Sequence, residues 1–157
     1  MKKPHTVRFF GQNFGGAMES VIIRQMTKAD IPSVVDIQIN GWRAAYKGII
    51  DEEHLSAMDR DRRIKKIEQS YLKYGFIVAE CDGNIVGFAN YIDNNEFTSE
   101  TPDADSELSA IYVEPELKRR GIGTKLFEYV KEELAHKNKR KMVLWCLKDN
   151  EPLKKIL

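Results

Sequence analysis

Apolar residues in this chain follow two spacings: short runs typical of strands, and repeats of three or four typical of helices. The strand-like runs cover residues 21–26, 76–81, 85–92, 108–113 and 141–147. Helical spacing follows Thr27, Asp51, Thr124 and Asn150. This order predicts a single α/β or α+β domain in which helices flank a mixed β-sheet.

Local signals support these boundaries. Thr27 followed by Asp30 is typical of a capping box at a helix start, and Gly48 is typical of a helix end. The segment Asp82-Gly83-Asn84 between two strand-like runs predicts a β-hairpin. Residues 1–18 lack either spacing and include Gly11, Gly15 and Gly16, so we expect a flexible N-terminal extension ahead of a domain at 19–157.

The segment from Glu107 to Leu126 carries the strongest functional signal. A strand-like run ends at Pro115, a basic loop follows with glycines at 121 and 123, and an amphipathic helix begins. Unpaired N–H groups, the positive end of a helix dipole and cationic side chains therefore meet at one point, which predicts a site for a phosphate-bearing ligand. The basic residues on their own would be read as a solvated surface.

Two common phosphate motifs are excluded in this segment. A Walker loop ends in Gly-Lys-Ser/Thr, whereas this chain has Gly123-Thr124-Lys125. The dinucleotide fingerprint needs a third glycine where this chain has Leu126.

The segment resembles the acetyl-CoA-binding core of the GCN5-related N-acetyltransferase superfamily. That family has a strand of the form Glu-Leu-x-x-Ile/Leu-Tyr-Val-x-Pro, followed by Gln/Arg-x-x-Gly-x-Gly/Ala. Here the strand is Glu107-Leu-Ser-Ala-Ile-Tyr-Val-Glu-Pro115 and the loop is Lys118-Arg-Arg-Gly-Ile-Gly123. Lys118 stands where the family has Gln or Arg. The order of elements over residues 21–157 also matches, which implies the acyl-CoA N-acyltransferase fold.

The resemblance implies acetyl-CoA as co-substrate and a primary amine on a small molecule or peptide as acceptor. Glu107 is then the candidate base, and Trp42 and Tyr46, one helical turn apart, are candidates for the acceptor cleft. The residues implied to bind the cofactor are Ile111, Tyr112, Val113, Lys118, Arg119, Arg120, Gly121, Ile122, Gly123, Thr124 and Asn150. For Glu107 a solvent-exposed carboxylate, and for the aromatics a core role, remain open.

The C-terminal residues depart from the family pattern. The family continues Asn-x-x-Ala-x-x-Phe-Tyr, where the tyrosine protonates the leaving thiolate, whereas Leu157 holds the tyrosine position here. We therefore expect a fold that lacks the last two family strands and leaves the fifth strand with an open edge. A shortened gene, a partner chain that completes the sheet as in a homodimer, and an acyl-CoA-binding module with weak or no catalysis are the alternatives.

Composition excludes several other classes. A net charge of +1 does not favour nucleic acid or an anionic membrane, and a nucleic-acid site at 137–141 would be short and close to two glutamates. No apolar run is long enough to span a bilayer. Two cysteines, Cys81 and Cys146, and three scattered histidines show no metal-ligand spacing, so we expect free thiols, no metal and a cytoplasmic location.

Overall fold

A computed structural model describes residues 2–8, 21–48, 51, 53, 59–93 and 103–147, with the backbone alone at 2–8, 45 and 145–147. The strands are β1 Lys2–Arg8, β2 Val21–Gln25, β3 Gly75–Cys81, β4 Asn84–Ile92, β5 Ser106–Val113 and β6 Lys141–Leu147. The helices are α1 Ile31–Tyr46, α2 Arg60–Ser70 and α3 Ile122–His136, with single 3-10 turns at Lys28–Asp30 and Pro115–Leu117.

The strands form one six-stranded sheet in the order β1-β6-β5-β4-β3-β2. Neighbouring strands are antiparallel except for β5 and β6, which are parallel. The chain is thus a single mixed α+β domain, as predicted. The parallel pair lies near the middle of the sheet, and the helix α3 that joins its two strands covers one face.

Helices cover the sheet on two faces, each with its own core. Alternate residues of β3 show the division, because Ile77 and Ala79 pack with α3 whereas Phe76 and Val78 pack with α1 and α2. The α3 core is completed by Ile122, Leu126, Phe127, Val130 and Leu134 from the helix. Burial of these side chains fixes the helix start, and therefore the basic loop before it, against the end of β5.

The predicted capping box is confirmed. The Asp30 carboxylate accepts hydrogen bonds from the Thr27 N–H at 2.8 Å and from the Thr27 hydroxyl at 3.0 Å. Arg24 donates to both Asp30 oxygens at 2.7 and 3.0 Å, and to Glu80 at 2.8 Å. This Arg24 hydrogen bond lowers the pKa of Asp30 to about 2. The start of α1 is therefore tied to the β2 and β3 edge of the sheet.

The hairpin prediction is also confirmed. Cys81 pairs with Asn84, and the two residues between them, Asp82 and Gly83, both have positive φ. That geometry is a two-residue turn with the twist that antiparallel strands require. Gly48 follows α1 with φ 81°, in agreement with its predicted role as a helix terminator.

The N-terminal segment differs from the expectation. Residues 2–8, expected to be a flexible extension, form β1, which pairs antiparallel with the whole of β6 from Lys2 opposite Leu147 to Arg8 opposite Lys141. The edge of the fifth predicted strand is therefore covered within this chain instead of open. An unpaired strand edge is costly, and a polar, proline-containing segment such as 2–8 is acceptable at a sheet border.

Three boundaries also differ. The helix α2 begins at Arg60, inside the helical region predicted after Asp51, and is capped by Asp59, whose side chain accepts from the Arg62 N–H at 3.1 Å. Most residues from 52 to 58 lie outside the described part of the chain, so the cap at Asp51 stays a prediction. The strand β5 begins at Ser106, two residues before the apolar run. The helix α3 begins at Ile122, after the N-cap Gly121, so that Gly123 lies in its first turn. Polar residues at element ends obscure such boundaries in the sequence.

Candidate active site

The parallel strands β5 and β6 separate at the centre of the sheet. They pair from Ser106 opposite Met142 to Leu108 opposite Leu144, yet β5 continues to Val113 and β6 to Leu147. Among the described residues, no pairing between these two strands continues past Leu108. The β5 edge from Ser109 to Val113 therefore presents backbone N–H and C=O groups to a wedge-shaped opening, where an extended ligand can pair with them.

A β-bulge interrupts β5 at the point where this opening begins. On the other side of β5, Tyr91 lies opposite Leu108 and Asn90 lies opposite Ala110, so Ser109 is an extra residue. The bulge reverses the alternation of side chains along the strand. Leu108, Ile111 and Val113 pack towards α3, whereas Ala110 and Tyr112 pack towards α1.

Glu107, the candidate base, lies just before the bulge. Because Leu108 faces α3, alternation places Glu107 on the α1 face, which is also the face of Ala110 and Tyr112. Its carboxylate is half-buried and accepts a hydrogen bond from the Ser109 hydroxyl at 3.2 Å. The bulge thus brings a carboxylate and a hydroxyl together at the mouth of the opening.

The basic loop lies at the far end of β5. The Glu114 N–H donates to the Val86 carbonyl and the Leu117 N–H donates to the Glu114 carbonyl, both at 2.9 Å, so the turn after β5 is fixed. Arg119 and Gly121 have φ of 65° and 80°, while Lys118, Arg119 and Arg120 are exposed. Alternation of left-handed residues with others makes successive N–H groups converge, as in anion-binding nests.

Helix α3 adds its own N–H groups to this loop. Its first intrahelical hydrogen bond runs from the Lys125 N–H to the Gly121 carbonyl at 3.0 Å. The N–H groups of Ile122, Gly123 and Thr124 precede this bond and are the donors that a helix start leaves available. The positive end of the helix dipole lies at the same place. The loop therefore offers an anion several converging N–H donors, and its binding of a pyrophosphate stays a prediction.

A close approach between strand and helix holds α3 in this position. A Cβ atom on Gly87 would lie 2.9 Å from the Tyr112 carbonyl oxygen and 3.2 Å from Leu126 Cδ1. Glycine at this position therefore allows β4, β5 and α3 to approach more closely than any other residue would. The α3 side of the site is built mainly from backbone atoms and glycines.

Aromatic side chains form the α1 side of the site. The rings of Trp42 and Tyr46 are 4.5 Å apart, and the ring of Tyr112 stacks on Phe88 at 5.5 Å. Tyr112 also lies against the backbone of α1, since a Cβ atom on Gly41 would be 2.5 Å from its Cδ1 atom. The Trp42 indole lies close enough to the Tyr112 hydroxyl to oppose the rise in the pKa of that phenol. These residues therefore form one aromatic cluster.

Burial makes the Tyr112 hydroxyl hard to ionise. It raises the pKa of Tyr112 to about 12, the nearby Tyr46 adds to the rise, and the Trp42 hydrogen bond and the charge of Arg63 oppose it. Burial also raises the pKa of Tyr46. Both phenols are therefore neutral at physiological pH and act there as hydrogen-bonding groups.

The structure sorts the predicted site residues into two groups. Ile111, Val113 and the loop from Lys118 to Thr124 lie along one path, from the opening to the helix start. Glu107, Trp42 and Tyr46 lie on the α1 side, and Asn150 lies outside the described residues. Tyr112, predicted to contact the cofactor, directs its side chain to α1, so only its backbone remains available for that role.

Sequence reasoning missed three contributors to the α1 side. Gly41, Phe88 and the side chain of Tyr112 belong to the aromatic cluster. A Gly directly before a Trp-x-x-x-Tyr pattern carries no signal of its own, and simple alternation from Leu108 predicts the wrong face for Tyr112 because it ignores the bulge.

A separate cavity of about 290 Å³ lies at the opposite end of the sheet, between the turn after α2 and the C-terminal end of α3. Its lining includes Tyr74, Tyr91 and Lys137, none of which belongs to the predicted site.

Within the described parts of the chain, no group of three His, Cys, Asp or Glu side chains could hold a metal ion, and no helix has the length and apolar character needed to span a membrane.

Three curated proteins show sequence similarity over most of the chain. An uncharacterized N-acetyltransferase of Archaeoglobus fulgidus is 31% identical over 131 residues, covering 82% of this chain and 83% of that protein. The uncharacterized N-acetyltransferase YuaI of Bacillus subtilis is 28% identical, covering 83% and 73%. A spermidine N(1)-acetyltransferase of Thermoplasma acidophilum is 25% identical, covering 81% and 76%.

Solved structures share the fold. The PaiA N-acetyltransferase of Thermoplasma acidophilum, solved in complex with coenzyme A, superposes with a TM-score of 0.70 at 21% identity, covering 87% of this chain and 85% of that one. A Salmonella typhimurium protein solved with its cofactor acetyl-CoA gives 0.63 at 22% identity, covering 88% and 76%. The model of the acetyltransferase (GNAT) family matches residues 38–156. Because this match spans most of the described domain, including the diverging strands and the basic loop, the chain belongs to the acetyltransferase (GNAT) family.

Proposed function

We propose that the protein transfers the acetyl group of acetyl-CoA to a primary amine on a small molecule or peptide. The observation that carries the proposal is the continuous path of backbone groups from the open β5 edge to the nest and helix start at Gly121. An extended pantetheine arm can pair with such an edge, and a pyrophosphate fits such a nest. The CoA complexes of similar folds support this reading.

The reaction places two substrates on opposite sides of β5. The amine enters from the α1 side, where Glu107 accepts its proton directly or through water, and the free amine attacks the thioester carbonyl carbon. A C–N bond forms, the C–S bond breaks, and CoA leaves as a thiolate, which takes up, directly or through water, the second proton that the nitrogen loses. Most of the rate gain comes from holding the reactants together, worth up to about 7–11 kcal/mol in favourable systems.

The individual roles follow this division. Ile111, Tyr112 and Val113 act through their backbones on the pantetheine arm, and the loop from Lys118 to Thr124 binds the pyrophosphate. Trp42 and Tyr46 line the acceptor cleft. Asn150 is retained as a cofactor contact on the family resemblance alone, and a cytoplasmic location is kept as a prediction.

A glycine exchange with a matched control tests the cofactor site. Gly121 and Gly83 both have φ near 80° and both have open space where a Cβ would lie, so alanine strains the backbone equally at each. Gly121→Ala moves the N–H groups at the helix start, and we expect calorimetry to show about tenfold weaker acetyl-CoA binding. Gly83→Ala is expected to bind as the parent does. Equal affinities for the two variants would refute the assignment of the pyrophosphate to this loop.

A non-catalytic acyl-CoA-binding module that dimerises through its sheet edge is the alternative. Leu157 at the position of the family tyrosine favours this alternative. However, β1 pairs with the β6 edge that was expected to be open, which argues against a dimer formed through that edge. Release of free CoA with a panel of amines distinguishes the two functions. Saturable acetyl-CoA binding without CoA release from any amine would favour the module.

A further inference from the structure

Three arginines that contact α1 or its N-cap residue differ in their partners. Arg24 forms ion pairs with Asp30 and Glu80, and Arg60 donates to both oxygens of Asp36 at 2.6 and 3.1 Å. Arg63, one turn after Arg60 on α2, donates to the neutral amide oxygen of Gln38 at 3.0 Å. Among the described residues, Arg63 forms no ion pair.

The position of Arg63 connects it to the aromatic cluster. Gln38, Trp42 and Tyr46 are spaced four residues apart on α1, so they form one stripe along the helix. Arg63 is half-buried at the Gln38 end of this stripe, and its positive charge slightly opposes the rise in the pKa of Tyr112. A cation with donors left over therefore lies next to the surface where the acceptor is expected.

Such an arginine has a definite chemical preference. The guanidinium presents five N–H donors in a planar fork that matches a carboxylate or phosphate, and one bond to an amide leaves the rest of the fork available. A half-buried cation that none of the described carboxylates neutralises also repels a second cation in the same cleft. The site is thus better suited to an acceptor that carries a negative group than to a polycation.

We propose that Arg63 selects amine acceptors that also carry a carboxylate or phosphate group, and that this group docks on its guanidinium beside Trp42. The proposal rests on the proposed acetyl transfer and narrows its substrate class. It separates this chain from its relative named as a spermidine acetyltransferase, since that acceptor bears only positive groups. Arg63 here is a specificity-determining residue and takes no part in bond making.

Matched pairs of acceptors test this proposal on the full chain with acetyl-CoA. β-Alanine, 4-aminobutyrate and 6-aminohexanoate are compared with the diamines that replace each carboxylate by an aminomethyl group, and O-phosphoethanolamine is compared with ethanolamine. We expect kcat/KM to favour the anionic member of a pair at least tenfold. Arg63→Gln should remove that preference, and Arg63→Lys should keep part of it.

Arg60→Gln is the matched control, because it removes the same charge from the same helix at a residue already paired with Asp36. It should leave the preference intact. Faster acetylation of the diamines, or an equal loss of preference in both glutamine variants, would overturn the proposal while leaving acetyl transfer established. Absence of CoA release with every probe, despite acetyl-CoA binding, would instead overturn the proposed function and this inference with it.

Discussion

The two faces of β5 offer a ligand different parts of the protein. On the α3 face, the contacts offered to a ligand are backbone groups, two left-handed residues and a helix start. On the α1 face they are side chains, namely the cluster of Trp42, Tyr46 and Tyr112 with Glu107 nearby. The bulge at Ser109 assembles the α1-face set, because it places Tyr112 on the same face as Glu107, whereas unbroken alternation would place these two side chains on opposite faces.

This difference explains which half of the site a sequence can reveal. Backbone recognition requires only that glycine and proline stand at particular positions, so the same short pattern serves many proteins that share one cofactor. Side-chain recognition depends on residues brought together from α1, α2 and β5, and it can change with the acceptor. The cofactor face should therefore respond to backbone perturbation, and the acceptor face to chemical substitution.

The largest expected effect is on the acceptor face. Glu107→Gln keeps the shape of the side chain and removes its ability to accept a full proton, and general base catalysis contributes about 10²–10⁴-fold to rate. We expect acetyl transfer to fall by that range while acetyl-CoA affinity changes less than about twofold. Steady-state kinetics and calorimetry measure the two quantities separately.

Glu116→Gln provides the control, since Glu116 is an exposed carboxylate on the turn after β5. It should leave the rate unchanged. If the Glu107 variant lost affinity for acetyl-CoA as much as it lost rate, the carboxylate would belong to the cofactor face and the division would be wrong.

An intermediate effect is expected on the cofactor face. Gly87→Ala forces a Cβ against the Tyr112 carbonyl and Leu126, so β5 and α3 must move apart. Overpacking of this kind costs about 1–3 kcal/mol, and we expect a similar loss in the free energy of unfolding and about tenfold weaker acetyl-CoA binding. Urea denaturation and calorimetry check the two results.

Gly75→Ala is the matched control for this change. Its Cβ would overlap the ring of Tyr91 in the same sheet, but at the end far from the basic loop. The variant should lose stability and keep its affinity for acetyl-CoA. Equal losses of affinity in both variants would mean that general destabilisation, and not the spacing of β5 and α3, controls the cofactor site.

Local patterns predicted the parts of the fold that local physics determines. The Thr27 capping box, the Asp82-Gly83 turn and the amphipathic face of α3 each depend on a few neighbouring residues, and each is confirmed. The strand β1 was missed because its partner β6 lies more than a hundred residues away and its own residues show no strand-like alternation. Pairing of that kind depends on an edge that only the folded sheet presents.

The site was predictable to the same extent. The segment from Lys118 to Thr124 lies between β5 and α3 as the motif predicts, although α3 begins at Ile122 and includes the last three of these residues. The face of the sheet on which Tyr112 lies depends on one extra residue in β5. The donors that Arg63 keeps for a ligand depend on the pairing of Asp36 with Arg60, which leaves Arg63 with the amide of Gln38. Neither property can be predicted from the spacing of residues along the chain, so both became visible only in the three-dimensional structure.

The smallest expected effect concerns the Tyr112 hydroxyl itself. Tyr112→Phe removes the phenolic hydroxyl beside the Trp42 indole and should lower the free energy of unfolding by about 1 kcal/mol at pH 8. Because burial raises the pKa of Tyr112 from 10 to about 12, the parent protein keeps its phenol neutral while the unfolded chain ionises. The stability contributed by this group is complete below pH 10 and is lost as the pH rises towards 12. The difference between parent and variant should therefore narrow over that interval in urea denaturation, since the tyrosines other than the neighbouring Tyr46 titrate equally in both proteins. Parallel curves up to pH 12 would show that the hydroxyl is exposed to water and that the aromatic cluster is open at Tyr112.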